Sequence, residues 1–272
     1  TCITILNCPA PARTPVNLNS KVMKSNKGTK QSQSTTLRCV DLFAGAGGFS
    51  LAARNANIHV VAAVEMKKHA CATYRKNLIT KQETTLYEKD ILELDPQTLA
   101  SEHFGGKSDC DIVLGGPPCQ GFSVHRINDK GVGDPRNKLI LRYFEYVNTL
   151  KPKVFLMENV PGILWERHKP FLDEFYKAGA TSGYKLLKPV TIDARDYGIP
   201  QRRKRVFILG VRPDVQLDIE WPPKPTHSGK PLASCDLLPW EPASTVFSKP
   251  TEPEDLNNVH MKHSETLIEG FK

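Results

Sequence analysis

Short apolar runs alternate with amphipathic stretches over most of the chain, and glycine, proline or polar turns separate them. Apolar runs of four to eight residues are typical of buried strands, and apolar positions at helical spacing are typical of helices that cover a sheet. Strands are predicted at residues 37–43, 59–64, 86–91, 111–114, 154–157, 184–193 and 206–211, and helices at 49–55, 68–77, 96–102, 137–150 and 170–178. This alternation predicts an α/β fold with a doubly wound, mostly parallel sheet.

The two ends of the chain lack this pattern. Residues 1–36 are rich in Pro, Asn, Ser and Lys, which predicts a flexible basic tail. Nine of the 21 prolines fall within residues 213–253, where the periodicity disappears. We therefore predict one main domain over residues 37–220, followed over residues 221–272 by a proline-rich linker and the beginning of a small, irregular second domain.

Charge and cysteine content narrow the function classes only a little. The formal charge is +8, but six basic residues and no acidic ones lie in residues 1–38, so the rest of the chain carries only +2. Seven cysteines with no C-x-x-C pair argue against a disulfide framework and against a zinc site, and favour a reducing compartment. No window approaches about 18 consecutive apolar residues, so we expect no membrane span.

A glycine-rich turn follows the first predicted strand. Residues 44–48, AGAGG, stand at a helix N-terminus, where backbone N–H groups can meet a small polar ligand. Glu65 closes the second strand, where a carboxylate can accept hydrogen bonds from ribose hydroxyls. Asp90, at the end of the third predicted strand, could bond an adenine amino group or cap the next turn. Ser50 replaces the third glycine of a dinucleotide fingerprint, which disfavours a dehydrogenase and favours an adenosyl ligand.

A cysteine and a glutamate follow two neighbouring predicted strands. The segment GGPPCQGFS, residues 115–123, carries Cys119 beyond the fourth strand, and Glu158 ends the fifth. Strand carboxyl ends border the crevice where ligands bind in an open α/β sheet, so the position suits a nucleophile. A rigid turn that carries a cysteine is the alternative. The basic run within residues 196–205 could contact phosphate.

Taken together, these motifs resemble the C5-cytosine DNA methyltransferases over about residues 37–225. The motifs that carry the resemblance, in the order of that family, are DLFAGAGG (41–48), Glu65, Asp90, GGPPCQGFS (115–123), RNKL (136–139), ENV (158–160) and DYGIPQRRKR (196–205). The resemblance implies a Rossmann-like methyltransferase fold with an antiparallel last strand. It also implies transfer of a methyl group from S-adenosyl-L-methionine to C5 of a flipped-out cytosine in DNA, with S-adenosyl-L-homocysteine as product and no metal.

The resemblance also assigns roles to individual residues. Cys119 would add to C6 of the base, Glu158 would hold and protonate N3, and Arg203 and Arg205 would support the base and the cysteine loop. The implied cofactor-binding residues are Phe43, Gly45, Gly48, Glu65, Met66, Asp90, Ile91 and Pro118. The implied substrate-binding residues are Gln120, Ser123 and Asn159. Met66 departs from the family pattern, because many relatives carry a tryptophan there, and the polar loop 124–136 is expected to close over the flipped base.

Partners and completeness follow from the same resemblance. It implies a monomer that acts on double-stranded DNA, beside a cognate restriction endonuclease, in the bacterial cytoplasm at the nucleoid or in a eukaryotic nucleus. We find neither of the family's last two motifs, so we expect a C-terminally incomplete catalytic domain with a target-recognition region that only begins, and poor activity alone. An RNA cytosine methyltransferase and a non-catalytic homologue remain alternatives.

Overall fold

The structure is a computed structural model that describes residues 2–3, 36–79, 84–107, 109–118, 138–230, 236–247, 265 and 269. The chain divides into two compact units. Unit 1 comprises residues 1–192 and 204–223, and unit 2 comprises residues 193–203 and 224–272. Apart from residues 2, 3 and 36, the tail predicted over residues 1–36 lies outside the described residues, as does the loop 124–136. The boundary predicted near residue 220 stays a prediction.

Strands and helices alternate along unit 1, as the hydrophobic pattern predicts. The strands are β1 (Cys2–Ile3), β2 (Arg38–Leu42), β3 (His59–Val64), β4 (Thr85–Tyr87), β5 (Ile112–Gly115), β6 (Val154–Asn159), β7 (Lys185–Leu186), β8 (Val190–Asp193), β9 (Lys204–Val211) and β10 (Gln216–Leu217). The helices are α1 (Gly48–Asn55), α2 (Lys68–Leu78), α3 (Pro96–Phe104), α4 (Lys138–Leu150) and α5 (Lys169–Thr181).

An eight-stranded sheet lies at the centre of unit 1. Its order is β4-β3-β2-β5-β6-β9-β7, and β8 also pairs with β9. The pairs β2–β3, β2–β5, β3–β4 and β5–β6 are parallel, whereas β9 runs antiparallel to β6 and β7. The predicted fold, a mostly parallel sheet with an antiparallel last strand, is confirmed. The short strands β1 and β10 form a separate parallel pair.

Two strand predictions were wrong in their bounds. The third strand ends at Tyr87, and Asp90 lies beyond it in a turn, where its carboxylate accepts a hydrogen bond from the Leu92 backbone N–H (2.9 Å). A side chain that bonds to the backbone two residues onward favours a turn over a strand. The strand predicted over residues 184–193 is divided into β7 and β8. Pro189 stands between them and has no N–H to donate to a sheet.

Aromatic side chains pack α4 and α5 against β6. Phe155 of β6 is fully buried, with its ring centroid 5.5 Å from that of Phe144 in α4 and 5.3 Å from that of Tyr184. Phe144 in turn lies 4.5 Å from Phe175 of α5. Each such pair adds about 0.5–1.5 kcal/mol beyond the area that it buries. The middle of β6 is therefore firmly held, and this strand carries Glu158 at its carboxyl end.

Unit 2 combines a short loop, residues 193–203, with the part of the chain that follows the last strands of unit 1, residues 224–272. A 3₁₀ turn (Ala194–Tyr197) opens the loop, and two short strands, β11 (His227–Ser228) and β12 (Leu238–Pro239), pair in parallel. A helical turn, α6 (Ser244–Phe247), follows. Across both units, no helix in the described part of the chain is long and apolar enough to cross a membrane.

Candidate active site

A cleft of about 600 Å³ opens at the carboxyl edge of the parallel strands. Seven of the eight predicted cofactor-binding residues line it, and Gly48 does not. The cleft also has members outside the predicted cofactor-binding set, among them two lysines and two leucines. The full lining is Phe43, Gly45, Val64, Glu65, Met66, Lys67, Ala70, Lys89, Asp90, Ile91, Leu92, Gly116, Pro118 and Leu139.

Glu65 is held in place by backbone groups from two directions. Its Oε2 accepts a hydrogen bond from the Gly45 N–H (2.9 Å), and its Oε1 accepts one from the Lys67 N–H (2.8 Å). Each carboxylate oxygen can accept more than one hydrogen bond, so both keep capacity for a ligand. The glycine turn and the end of β3 thus present a fixed acceptor to the cleft, which suits vicinal hydroxyls.

Asp90 and its neighbours form another part of the lining. Asp90 caps its own turn through Oδ1, while Ile91 is buried and its carbonyl accepts a hydrogen bond from Arg142 Nε (3.0 Å). Met66 and Leu92 are 58% and 50% exposed, which is high for large apolar side chains. Apolar surface beside fixed carboxylates is the lining expected of a small-molecule site. Leu92 was missed because a leucine in a turn gives no signal in the sequence.

Glu158 is positioned by a strand and by a glycine. Strand β9 runs antiparallel to β6 with Phe207 opposite Glu158. Arg205 on β9 forms an ion pair from its Nε to Glu158 Oε1 (2.8 Å). A methyl group placed on Gly116 would lie 3.2 Å from Glu158 Oε2, so the carboxylate packs closely on that backbone. With the Glu158 side chain 23% exposed, the carboxylate is both fixed and accessible.

Asn159 holds the segment that leads to Cys119. Its side-chain N–H group donates to the Pro117 carbonyl (3.4 Å), and its Oδ1 accepts from the Val160 N–H (2.8 Å). Asn159 is 2% exposed, so contact with a substrate stays a prediction. Cys119, Gln120 and Ser123 lie outside the described residues. Cys119 directly follows Pro118, which lines the cleft.

Arg203 belongs to unit 2 and is exposed. Its backbone N–H donates to Asp193 Oδ1 (3.3 Å), and its carbonyl accepts from the Ala194 N–H (2.9 Å). Arg195 donates two side-chain hydrogen bonds to the same buried carboxylate and lowers the pKa of Asp193. The structure thus fixes the backbone of Arg203 and leaves its side chain exposed.

Comparison with known proteins settles the family. The sequence profile described as C-5 cytosine-specific DNA methylase matches residues 37–267. The chain belongs to this family. Among the described residues of this chain, no group of three or more His, Cys, Asp or Glu side chains could hold a metal ion.

Several relatives of this chain are bacterial type II methyltransferases. M.XorII of Xanthomonas oryzae is 39% identical over 69% of this chain and 43% of its own length. M.DdeI of Desulfomicrobium norvegicum is 32% identical over 86% of this chain and 60% of its own length. The chain spans about half the length of the first curated relatives it matches.

Solved structures show the same fold. A DNA modification methyltransferase from an E. coli prophage superposes with a TM-score of 0.56 at 34% identity, over 65% of this chain and 47% of its own. A mutant of DNMT2 from Spodoptera frugiperda superposes with a TM-score of 0.52 at 23% identity, over 75% of this chain and 57% of its own. At that identity, the second likeness concerns the fold alone.

A buried hydrogen-bond network lies beneath the glycine turn of the chain, and sequence reasoning missed it. Asp41 Oδ2 accepts hydrogen bonds from the Ser50 N–H (3.0 Å) and Oγ–H (2.6 Å), and Tyr74 donates its hydroxyl to Ser50 Oγ (2.7 Å). All three side chains are buried. Asp41 therefore fastens the first turn of α1 to β2. Ser50, which the sequence presented only as a missing glycine, is the connecting group.

The buried carboxyl of Asp41 makes the stability of the folded chain depend on pH. Burial, the largest cause, and the neighbouring Glu65 raise the pKa of Asp41 to about 7, although hydrogen bonds from Ser50 oppose this. In the unfolded chain the pKa is about 3.9. Between these two pKa values Asp41 is protonated in the folded state and ionised in the unfolded state. Its contribution to the free energy of unfolding is therefore fully present below about pH 4 and is lost as the pH rises through about 7.

Asp41→Asn is expected to remove this dependence. The free energy of unfolding of the wild type and of the variant is measured in urea at pH 5, 6, 7 and 8. The difference between the two at each pH isolates Asp41, because the other titrating groups contribute equally to both. The advantage of the wild type over the variant should fall by a few kcal/mol across this range. Parallel pH profiles would show that Asp41 does not titrate there.

Proposed function

We propose that this chain transfers a methyl group from S-adenosyl-L-methionine to C5 of a cytosine in DNA, through a covalent adduct between Cys119 and C6 of a flipped-out base. One arrangement carries the proposal. A cleft with fixed carboxylates borders the segment that leads to Cys119, and Glu158, on the adjacent strand, is held against that segment by Arg205. A nucleoside site and a proton donor at one sheet edge are what this reaction requires.

The cleft suits an adenosyl group with a short charged tail. Glu65 would accept hydrogen bonds from the ribose hydroxyls, and Asp90 from the adenine amino group. Met66, Ile91 and Leu92 would supply apolar contacts for the ring. Phe43, Gly45 and Pro118 would complete the lining. When bound, S-adenosyl-L-methionine supplies an electrophilic methyl group.

The side chains would activate an otherwise unreactive carbon. Addition of the Cys119 thiolate to C6 pushes electron density onto the ring. N3 takes up this density, and Glu158 donates a proton to N3. C5 then carries enamine-like density and can attack the methyl group. Loss of the C5 proton to water, departure of the thiolate from C6 and return of the N3 proton to the Glu158 carboxylate restore the base. Arg205 keeps the Glu158 carboxyl in position, and Arg203 supports the base.

The target base has to leave the duplex, because C6 and N3 cannot be reached inside the stack. We propose that the loop 124–136 closes over it, with Gln120, Ser123 and Asn159 as contacts. Two points support a restriction-modification role: the relatives bear type II names, and they are bacterial. We accordingly propose a cognate endonuclease for the same site and a monomer in the bacterial cytoplasm.

Covalent capture tests this function. The probe is a pool of duplex DNA with 5-fluorocytosine in random flanking sequence, because fluorine at C5 cannot leave as a proton and the adduct persists. We expect a denaturant-stable complex that requires S-adenosyl-L-methionine. Capture of a matched structured RNA pool in place of DNA would identify an RNA methyltransferase. Binding of S-adenosyl-L-homocysteine with no capture of either polymer would favour a non-catalytic homologue.

A further inference from the structure

An arginine and a tryptophan from distant parts of the sequence stack on each other in unit 2. The Arg195 guanidinium lies 3.9 Å from the ring centroid of Trp240. The same guanidinium donates to both carboxylate oxygens of buried Asp193, from Nε to Oδ1 (3.3 Å) and from an Nη to Oδ2 (2.8 Å). The Trp240 indole N–H donates to Asp196 Oδ1 (3.0 Å). We name these four residues, Asp193, Arg195, Asp196 and Trp240, the clasp.

One side of the clasp closes the loop that carries Arg203. Asp193 accepts the Arg203 backbone N–H as well as the Arg195 side chain, and the Ala194 N–H donates to the Arg203 carbonyl. The two ends of loop 194–203 are therefore tied together at Asp193. Whatever fixes Arg195 against Asp193 also fixes the backbone from which the Arg203 side chain projects.

The other side of the clasp belongs to the segment 224–240, of which the structure describes residues 224–230 and 236–240. The Thr226 N–H donates to the Asp196 carbonyl (2.9 Å), and the Leu238 N–H donates to the Thr226 carbonyl (2.9 Å). Trp240 packs on Gly229 so closely that an added methyl group would lie 2.6 Å from its ring. The loop 194–203 and this segment thus belong to one unit, and the Trp240 ring contacts Arg195 of the loop and Gly229 of the segment.

We propose that Arg195 and Trp240 are positioning residues that couple the segment 224–240 to Arg203. The inference rests on the proposed function, in which Arg203 supports the target base, and on the target-recognition region predicted to begin within residues 221–272. Contact of DNA with this segment would then be transmitted through Trp240 and Arg195 to the loop 194–203. Every residue that lines the cofactor cleft belongs to unit 1, so the clasp should affect the base and not the cofactor.

Hydrogen exchange in the ligand-free chain tests the clasp directly. Trp240→Ala should accelerate exchange of the Ala194 and Arg203 amides about tenfold. Trp240→Phe should restore most of the protection, because a phenyl face still attracts the guanidinium. Trp165→Ala is the matched control, since Trp165 is similarly exposed and lies beneath Arg167 (4.6 Å). It should leave both amides unchanged. Unchanged exchange in Trp240→Ala would overturn the clasp.

Kinetics of covalent capture test the coupling. At saturating 5-fluorocytosine DNA, Trp240→Ala should lower the rate of complex formation about tenfold, with the Kd for S-adenosyl-L-homocysteine unchanged and the rate largely recovered in Trp240→Phe. Faster exchange combined with a wild-type capture rate would overturn the positioning role. If the wild-type chain captured no DNA, the proposed function would fail instead, and hydrogen exchange would still decide whether Trp240 holds the loop.

Discussion

Cys119→Ala is expected to abolish covalent capture of 5-fluorocytosine DNA, a loss of at least about 10⁴-fold, because no other group in the proposed mechanism can add to C6. The segment before Cys119 is closely held. A methyl group on Gly115 would lie 2.5 Å from the Tyr143 ring. The Pro117 carbonyl accepts a hydrogen bond from the Asn159 side chain, and Pro118 lines the cleft. Gel electrophoresis under denaturing conditions measures the complex.

Cys110→Ala is the matched control for this loss. Cys110 lies just before β5, the strand that leads to Cys119, and it is fully buried. Burial raises the pKa of its thiol well above the usual value, so it stays protonated and unreactive. We expect the control to capture DNA as the wild type does. Capture by Cys119→Ala at a comparable rate would refute Cys119 as the nucleophile.

The fold was predictable because its signals are local. The strands β2, β3, β5 and β6 coincide with mostly apolar runs, and the glycine turn and the proline pair mark where β2 and β5 end. The errors arose where one side chain decides the local structure. Asp90 turns the chain by bonding to Leu92, and Pro189 divides a predicted strand.

The candidate site was predictable in its members but not in its contacts. The sequence placed Glu158 at a strand end, yet its ion pair with Arg205 depends on the register of an antiparallel strand 47 residues away. Asp41 gave a signal that could have been used, since a carboxylate within an apolar strand requires a buried partner. The stacking of Arg195 on Trp240 joins residues 45 positions apart across a proline-rich segment, and no periodic pattern predicts it.

Glu158→Gln should slow covalent capture by about 10²–10⁴-fold, the usual contribution of a positioned proton donor. Glutamine keeps the shape of the side chain and can still bond to Arg205, but it cannot act as an acid toward N3. The change should leave the Kd for S-adenosyl-L-homocysteine within about twofold, because Glu158 does not line the cleft. Single-turnover capture at saturating DNA measures the effect.

Glu166→Gln is the matched control for the slower capture expected of Glu158→Gln. Glu166 lies in the 3₁₀ turn (Glu166–His168) after the same strand, and its side chain is 89% exposed beside Lys169. Losing this charge should leave the capture rate unchanged, because an exposed ion pair contributes little and the carboxylate has no part in the mechanism. If both variants slowed capture equally, general charge near β6 would explain the loss. A Glu158→Gln rate within about threefold of wild type would mean that N3 receives its proton from another group.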